Sequence, residues 1–290
     1  MLELNKLYVM DCLDGLKSLP DNSAQMVIAD PPYNIGKDFG NNVDKRELEE
    51  YLEWCDKWIK ECIRILKPNG TMFIYGFSEI LAHVSSRINL PKRWIIWHYT
   101  NKNMPSMKFW QRSHEAIICC WKNKPVFNLD YVREPYTEGF LKGAAGRKRA
   151  ATVGRLSGKN AKETVYNAHK KGALPRDVIK SPALAGGAGM SERWFICHTC
   201  GRVCEPSEIK EHKEHEIEKH PTQKPLAVCD KLILSAMQEK GYVLIPFIGS
   251  GSEIVSAKKN GLDFVGFDLN PEYIKMAEER LRNTKKDISF

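Results

Sequence analysis

No stretch of the 290-residue chain stays apolar for the roughly 18–20 residues needed to cross a bilayer. The opening residues, Met1-Leu2-Glu3-Leu4-Asn5-Lys6, lack the basic-then-apolar pattern of a secretory signal. These absences predict a cytoplasmic protein with no membrane partner. Internal repeats and long low-complexity tracts are also lacking, which leaves a globular chain of one or two domains. Cysteine is not scarce, but its count is nine, so complete pairing within one chain is excluded. Cys55, Cys62, Cys119 and Cys120 lie inside apolar stretches, the pattern of reduced thiols in a core.

Acids are scarce in one window. Residues 141–180 hold eleven Lys or Arg against only Glu163 and Asp177, a local excess of nine where the whole chain carries +8. The eleven are Lys142, Arg147, Lys148, Arg149, Arg155, Lys159, Lys162, Lys170, Lys171, Arg176 and Lys180. Such a concentration predicts a surface that meets a polyanion.

The hydrophobic pattern alternates strands and helices at both ends of the chain. Leu7-Tyr8-Val9-Met10 and Gln25-Met-Val-Ile-Ala29 are short apolar runs, with helical spacing of Leu13, Leu16 and Leu19 between them. Leu48, Tyr51, Leu52, Cys55, Trp58, Ile59, Cys62, Ile63 and Leu66 make an amphipathic helix, stopped by Pro68-Asn69-Gly70. Thr71-Met-Phe-Ile-Tyr75, Trp94-Ile-Ile-Trp97 and Ala116-Ile-Ile-Cys-Cys-Trp121 read as strands, the last two as a hairpin. From 123 to 219 the pattern breaks down, which marks a functional insert. Regularity returns with a helix over 226–237, a strand over 242–246, a helix to Asn260, a strand over 263–267, and a helix capped by Asn270 with Pro271 at its first position. The fold class that follows is α/β, a doubly wound, mostly parallel sheet divided as 1–122, 123–219 and 220–290.

Two strand ends carry chemistry. Phe247-Ile-Gly-Ser-Gly251 lies between a strand and a helix, where glycine lets the backbone approach a nucleotide-like ligand. Asp268 ends the next strand and is suited to accept hydrogen bonds from both ribose hydroxyls. Asp30-Pro31-Pro32-Tyr33 follows another strand. Its prolines stiffen the backbone and lack N–H donors, so carbonyls and the Asp30 carboxylate can accept from a planar amine beside the Tyr33 ring.

Asp30-Pro-Pro-Tyr33, Phe247-Ile-Gly-Ser-Gly251 and His220-Pro-Thr-Gln-Lys-Pro225 together resemble the amino-methylating DNA methyltransferases, over about 1–122 and 220–285. With the catalytic motif before the glycine motif and a variable segment between, the order resembles their beta group. The resemblance implies a Rossmann-like fold and S-adenosylmethionine as cofactor. It implies that Phe247, Gly249, Ser250 and Gly251 line the cofactor site and Asp268 holds its ribose. Asp11 and the Cys12 backbone would meet its adenine, with Thr222 and Lys224 near its methionine end. It further implies that Asp30, Pro31, Pro32 and Tyr33 hold a base flipped out of double-stranded DNA, and that residues 123–219 recognise the target. A cognate restriction endonuclease and a homodimer are expected partners. Adenine N6 is expected over cytosine N4, because cytosine enzymes more often begin the motif with Ser. Carbon-5 chemistry is excluded, since its nucleophilic cysteine usually follows proline and no Pro-Cys pair occurs. One departure stands out: Ile245 occupies the position where the family commonly has Asp.

Near the end of the insert, Cys197, Cys200, His212 and His215 have the spacing Cys-x₂-Cys-x₁₁-His-x₂-His. It resembles a two-cysteine, two-histidine zinc finger over 193–217, with Cys204 and Ile209 near the small-core positions and a short final spacing. Cys204 and His220 are alternative fourth ligands. A structural Zn²⁺ is the expectation.

Overall fold

The computed structural model describes residues 2–36, 45–101, 105–150, 163–238 and 240–286. In chain order the first half carries β1 (Lys6–Val9), α1 (Cys12–Lys17), β2 (Ala24–Ala29), α2 (Leu48–Ile65), β3 (Leu66–Gly76), α3 (Ser78–Arg87), β4 (Lys92–Tyr99) and β5 (His114–Trp121). The middle carries α4 (Glu138–Gly143), β6 (Lys148–Arg149), β7 (Thr164–Val165), β8 (Val178–Ser181), α5 (Gly187–Glu192), β9 (Phe195–Cys197), β10 (Arg202–Cys204) and β11 (Ile217–Lys219). The last part is α6 (Leu226–Ala236), β12 (Tyr242–Ile245), α7 (Ser252–Lys259), β13 (Asp263–Asp268) and α8 (Pro271–Asn283).

Eight strands form one sheet in the order β1-β13-β12-β2-β3-β5-β4-β8. All neighbours pair parallel except β3 with β5 and β4 with β5. The strand period of two sends alternate side chains to opposite faces. Val27, Ala29, Met72, Ile74, Leu244 and Val265 face one core, shared with α1, α2 and α3. Met26, Ile28, Phe73, Tyr75, Val243 and Phe264 face the other, shared with α6, α7 and α8. Helices on both faces of a mostly parallel sheet make the doubly wound architecture that the alternating pattern implied. Ile245 is fully buried in the second core, so an apolar residue there suits the fold.

Two local features depart from expectation. Helix α2 passes directly into β3, and Pro68-Asn69-Gly70 lies inside that strand rather than in a turn before it. The register jumps from Ala24↔Leu66 to Met26↔Thr71, so these residues form a bulge. The segment 123–219, in which the strand–helix pattern broke down, also supplies β8 to the sheet edge, and β9, β10 and β11 form a small antiparallel sheet.

The compact units are Met1–Phe127 with Asp177–Phe290, and Asn128–Arg176. The unit outside the sheet is therefore narrower than the 123–219 segment marked off by sequence. It contains α4, the β6–β7 ribbon and much of the basic window; Arg155, Lys159 and Lys162 lie outside the described residues. Among the described residues, no helix is long and apolar enough to cross a membrane.

Candidate active site

The chain leaves β2 toward β3 on one side, whereas β12 leads to β13 on the other, so the strand order reverses between the adjacent strands β2 and β12. A crevice opens beyond the strand ends at such a switch point. Here Asp30-Pro-Pro-Tyr33 leaves β2 and Pro246-Phe247 leaves β12, and both segments line one cavity. Asp11, Cys12, Thr222, Lys224, Gly249, Ser250 and Asp268 line it as well. Among the expected cofactor residues, Gly251 is outside that lining.

The glycine turn is built for close approach. Gly249 and Gly251 have φ of +49° and +81°, which L side chains rarely adopt. A Cβ on Gly251 would stand 2.7 Å from the Cβ of Ala277 in α8, so this glycine serves helix packing and the turn itself. Asp268 accepts from the Gly249 N–H at 2.7 Å and the Asn270 N–H at 2.9 Å. Burial raises the Asp268 carboxyl above its usual range, and these amides work against the rise. Buried Arg280 donates to the Ser250 carbonyl at 2.6 Å and fixes the far side of the turn. Phe247 meets Trp58 edge-on at 5.3 Å and Trp54 at 5.6 Å, so α2 contributes an aromatic wall. Asp11 caps α1 by accepting from the Leu13 N–H at 2.8 Å.

At the other end of the cavity, Asp30 sits in a buried polar network. Its Oδ1 accepts from the Tyr33 hydroxyl and its Oδ2 from Lys224 Nζ, each at 2.7 Å. The Tyr33 hydroxyl is also 2.9 Å from Glu115 Oε2, so one proton is shared between two carboxylates. Glu115 Oε1 accepts from Tyr99 at 2.7 Å. Lys224 Nζ lies 3.6 Å from Glu115 and over the Tyr33 and Tyr75 rings. Tyr51 donates to the Pro32 carbonyl at 2.7 Å and fixes the proline turn.

Charge in this network is unbalanced toward the acids. Burial raises the Asp30 carboxyl, and Lys224 opposes the rise. Burial works against the Lys224 ammonium, but Asp30 and Glu115 outweigh it and hold the charge. Burial, then repulsion from Asp30, pushes the Glu253 carboxyl at the start of α7 up to about 7. His220 is pushed down to about 3 by burial and by Lys224, Arg193 and Arg280, so its ring is neutral. Its Nδ1 accepts from the Thr222 N–H at 3.3 Å, which puts the proton on Nε2.

Sequence reasoning missed Glu115, Tyr99, Glu253 and the Tyr51–Trp54 wall. Glu115 carried a signal: an acid heading an uninterrupted apolar strand must be buried and partnered. The expected metal ligands also converge. Ligand atoms of Cys197, Cys200, His212 and His215 all lie within 4.8 Å of one another, whereas His220 lines the cavity instead.

A family model described as DNA methylase, of the N6 and N4 type, matches residues 24–279. Type II methyltransferase M.HpaI of Haemophilus parainfluenzae is 29% identical over 285 residues, 95% of this chain and 74% of that protein. DNA adenine methyltransferase YhdJ of Escherichia coli K12 is 29% identical over 276 residues, 93% and 80% of the two chains. Type II methyltransferase M.BglII of Bacillus subtilis is 30% identical over 292 residues, 96% and 69%. Among solved structures, the PvuII cytosine-N4-specific DNA methyltransferase superposes with a TM-score of 0.65 at 16% identity, covering 100% of this chain and 89% of that one. The family match spans both halves of the cavity, and the fold match spans the whole sheet. The chain belongs to the DNA methylase family, in its beta group of S-adenosylmethionine-dependent amino-methyltransferases.

Proposed function

We propose that this protein methylates the N6 amine of adenine in double-stranded DNA, with Asp30, Pro31, Pro32 and Tyr33 at the reacting centre. The observation that carries the reading is the single cavity lined by Asp30-Pro-Pro-Tyr33 on one side and by Phe247, Gly249, Ser250 and Asp268 on the other. Adenine is preferred because the motif begins with Asp, and the adenine methyltransferase YhdJ is among the similar proteins.

The side chains present fit S-adenosylmethionine. Asp268 is placed beside the glycine turn for ribose hydroxyls, and Phe247 with Trp54 offers flat apolar surface for an adenine ring. Asp30 and Glu115 outnumber Lys224, which suits a cationic ligand. When bound, S-adenosylmethionine supplies an electrophilic methyl on a sulfonium. The Asp30 carboxylate and the Pro31 carbonyl accept the hydrogens of the target amine. These bonds draw the nitrogen lone pair out of conjugation and stabilise positive charge developing on nitrogen. The Tyr51 bond to Pro32 and the Tyr33 bond to Asp30 keep both acceptors in place, so alignment is set before reaction. Lys224 is a positioning residue, since it holds Asp30 from the side away from solvent.

The base must leave the duplex, which costs a few kcal/mol. Residues 105–113 lead into β5, and Met107, Phe109 and Trp110 among them are 92%, 80% and 87% exposed. Exposed apolar side chains of this kind can wedge between base steps and unstack them. Basic residues of Asn128–Arg176 supply phosphate contacts. A cognate restriction endonuclease is in keeping with the type II relatives. The reading is tested by the base that receives label from methyl-tritiated S-adenosylmethionine, with Asp30→Ala as the inactive control that still binds cofactor.

A further inference from the structure

We propose that the small sheet β9–β10–β11 is a zinc module whose ion is held by Cys197 Sγ, Cys200 Sγ, His212 Nδ1 and His215 Nδ1, and that this ion fixes the segment carrying His220 and Lys224 into the cofactor cavity.

The four ligand atoms converge to within 4.8 Å of one another, close to the spacing that a tetrahedral ion requires. Zinc bonds of about 2.3 Å to sulfur and 2.0–2.1 Å to nitrogen separate neighbouring ligand atoms by about 3.3–3.8 Å. Cys197 Sγ is 3.3 Å from His215 Nδ1, Cys200 Sγ is 4.0 Å from His212 Nδ1, and the two Nδ1 atoms are 3.1 Å apart. Each Nδ1 faces a sulfur and the other ring at once. One cation at the centre satisfies all four lone pairs together.

The surroundings are those of a metal knuckle. The Cys200 N–H donates to Cys197 Sγ at 3.4 Å, and the Gly201 N–H donates to the Cys197 carbonyl at 2.8 Å, closing a tight turn. Gly201 has φ of +69°, which the turn requires. Cys204 is not the fourth ligand. Its sulfur lies 3.4 Å from His212 Nε2, on the far side of the ring from the Nδ1 that faces Cys200. A ring that coordinates through Nδ1 keeps its proton on Nε2, and that N–H donates to Cys204. Phe195, Cys204, Ile209 and Ile217 form a small core beneath the ligands, the setting in which a structural metal acts as a staple.

The module leads straight into the active site. From the central strand β9, Ile196 packs on Tyr273 and Met276 of α8. Tyr273 lines the cavity, and its ring meets the His220 ring at 4.6 Å. Strand β11 ends at Lys219, the residue before His220, and Arg193 ahead of β9 donates to the His220 carbonyl at 2.7 Å. Both flanks of β9–β11 thus hold the segment that delivers Lys224 to Asp30. An ion that orders β9–β11 orders this segment.

The test is metal content of full-length protein purified without chelator, followed by calorimetric titration with S-adenosylmethionine. We expect about one zinc per chain, lost in Cys200→Ser and His215→Ala and retained in Cys204→Ser. Cobalt-loaded wild type and Cys204→Ser are expected to show the same tetrahedral two-thiolate spectrum. Zinc-stripped protein is expected to bind S-adenosylmethionine several-fold more weakly, with recovery on adding zinc. Zinc-free wild type, or loss of metal in Cys204→Ser with retention in His215→Ala, overturns the ligand set. Unchanged cofactor affinity after stripping overturns the coupling. Only that last readout rests on the proposed cofactor site; metal content stands apart from it.

Discussion

Replacing Lys224 with Met removes the cation that pairs with Asp30 and Glu115 in a buried network while keeping most of its volume. Lys224 Nζ is 2.7 Å from Asp30 and 3.6 Å from Glu115, with 2% of its side chain exposed. At an effective dielectric of about 20, these separations of 2.7 and 3.6 Å correspond to attractions of about 6 and 5 kcal/mol. Desolvation of the three groups and repulsion between the two carboxylates offset most of that. Breaking a buried pair by deleting one partner costs about 3–5 kcal/mol, because the remaining charge is stranded. The stranded Asp30 escapes by taking a proton, and the sign follows from linkage. Its folded pKa, already raised by burial, rises further, while the unfolded chain has released that proton above about 3.9. Stability of Lys224→Met therefore falls as pH rises above the ordinary carboxylate range. We expect the smaller loss at about pH 4, where the unfolded chain also holds the proton, and about 3–5 kcal/mol at pH 8. Asp30→Asn in the same chain removes the stranded charge and should recover about 2 kcal/mol or more, a non-additivity typical of contacting pairs. Urea unfolding followed by tryptophan fluorescence measures all four members of the cycle. A loss that is equal at both pH values and strictly additive with Asp30→Asn would refute the ion-pair reasoning and leave only packing.

Other expectations follow from the same geometry. Glu253 is protonated in the fold up to about pH 7, whereas the unfolded chain ionises near 4.5, so it lowers stability as pH rises between these values. Glu253→Gln should match wild type near pH 4.5 and exceed it by about 3 kcal/mol above pH 7; a pH-independent difference contradicts this. Gly251→Ala combines a left-handed φ of +81° with a Cβ placed 2.7 Å from Ala277. The two effects should cost about 2–5 kcal/mol together and weaken cofactor binding by shifting the Gly249–Ser250 turn, which calorimetry reads directly.

The sheet was legible in the sequence because strands buried on both faces read as unbroken apolar runs, and helices as three-and-four spacing. The two ends of the chain followed that rule, and so the strand ends bearing Asp30 and Phe247 were placed correctly. Strand β8 was hidden because Val178–Ser181 is short and contacts the core mainly through Ile179. Pro68-Asn69-Gly70 was misread because a bulge and a turn share the same residues, and only tertiary pairing with β2 separates them. In the cavity, the motifs marked the backbone but not the charge network. Glu115 reaches Tyr33 from 82 positions away and Lys224 reaches Asp30 from 194, and no local pattern encodes such pairs. The convergence of Cys197, Cys200, His212 and His215 was legible because their Cys-x₂-Cys and His-x₂-His pairs fall within one short segment.

The central claim is methyl transfer to adenine N6 at Asp30. Its most direct measurement is mass spectrometry of nucleosides from duplex DNA incubated with the purified protein and isotopically labelled S-adenosylmethionine, alongside Asp30→Ala. The account predicts labelled N6-methyladenine from wild type and none from the variant. Label in N4-methylcytosine, or equal N6-methyladenine from Asp30→Ala, would contradict it.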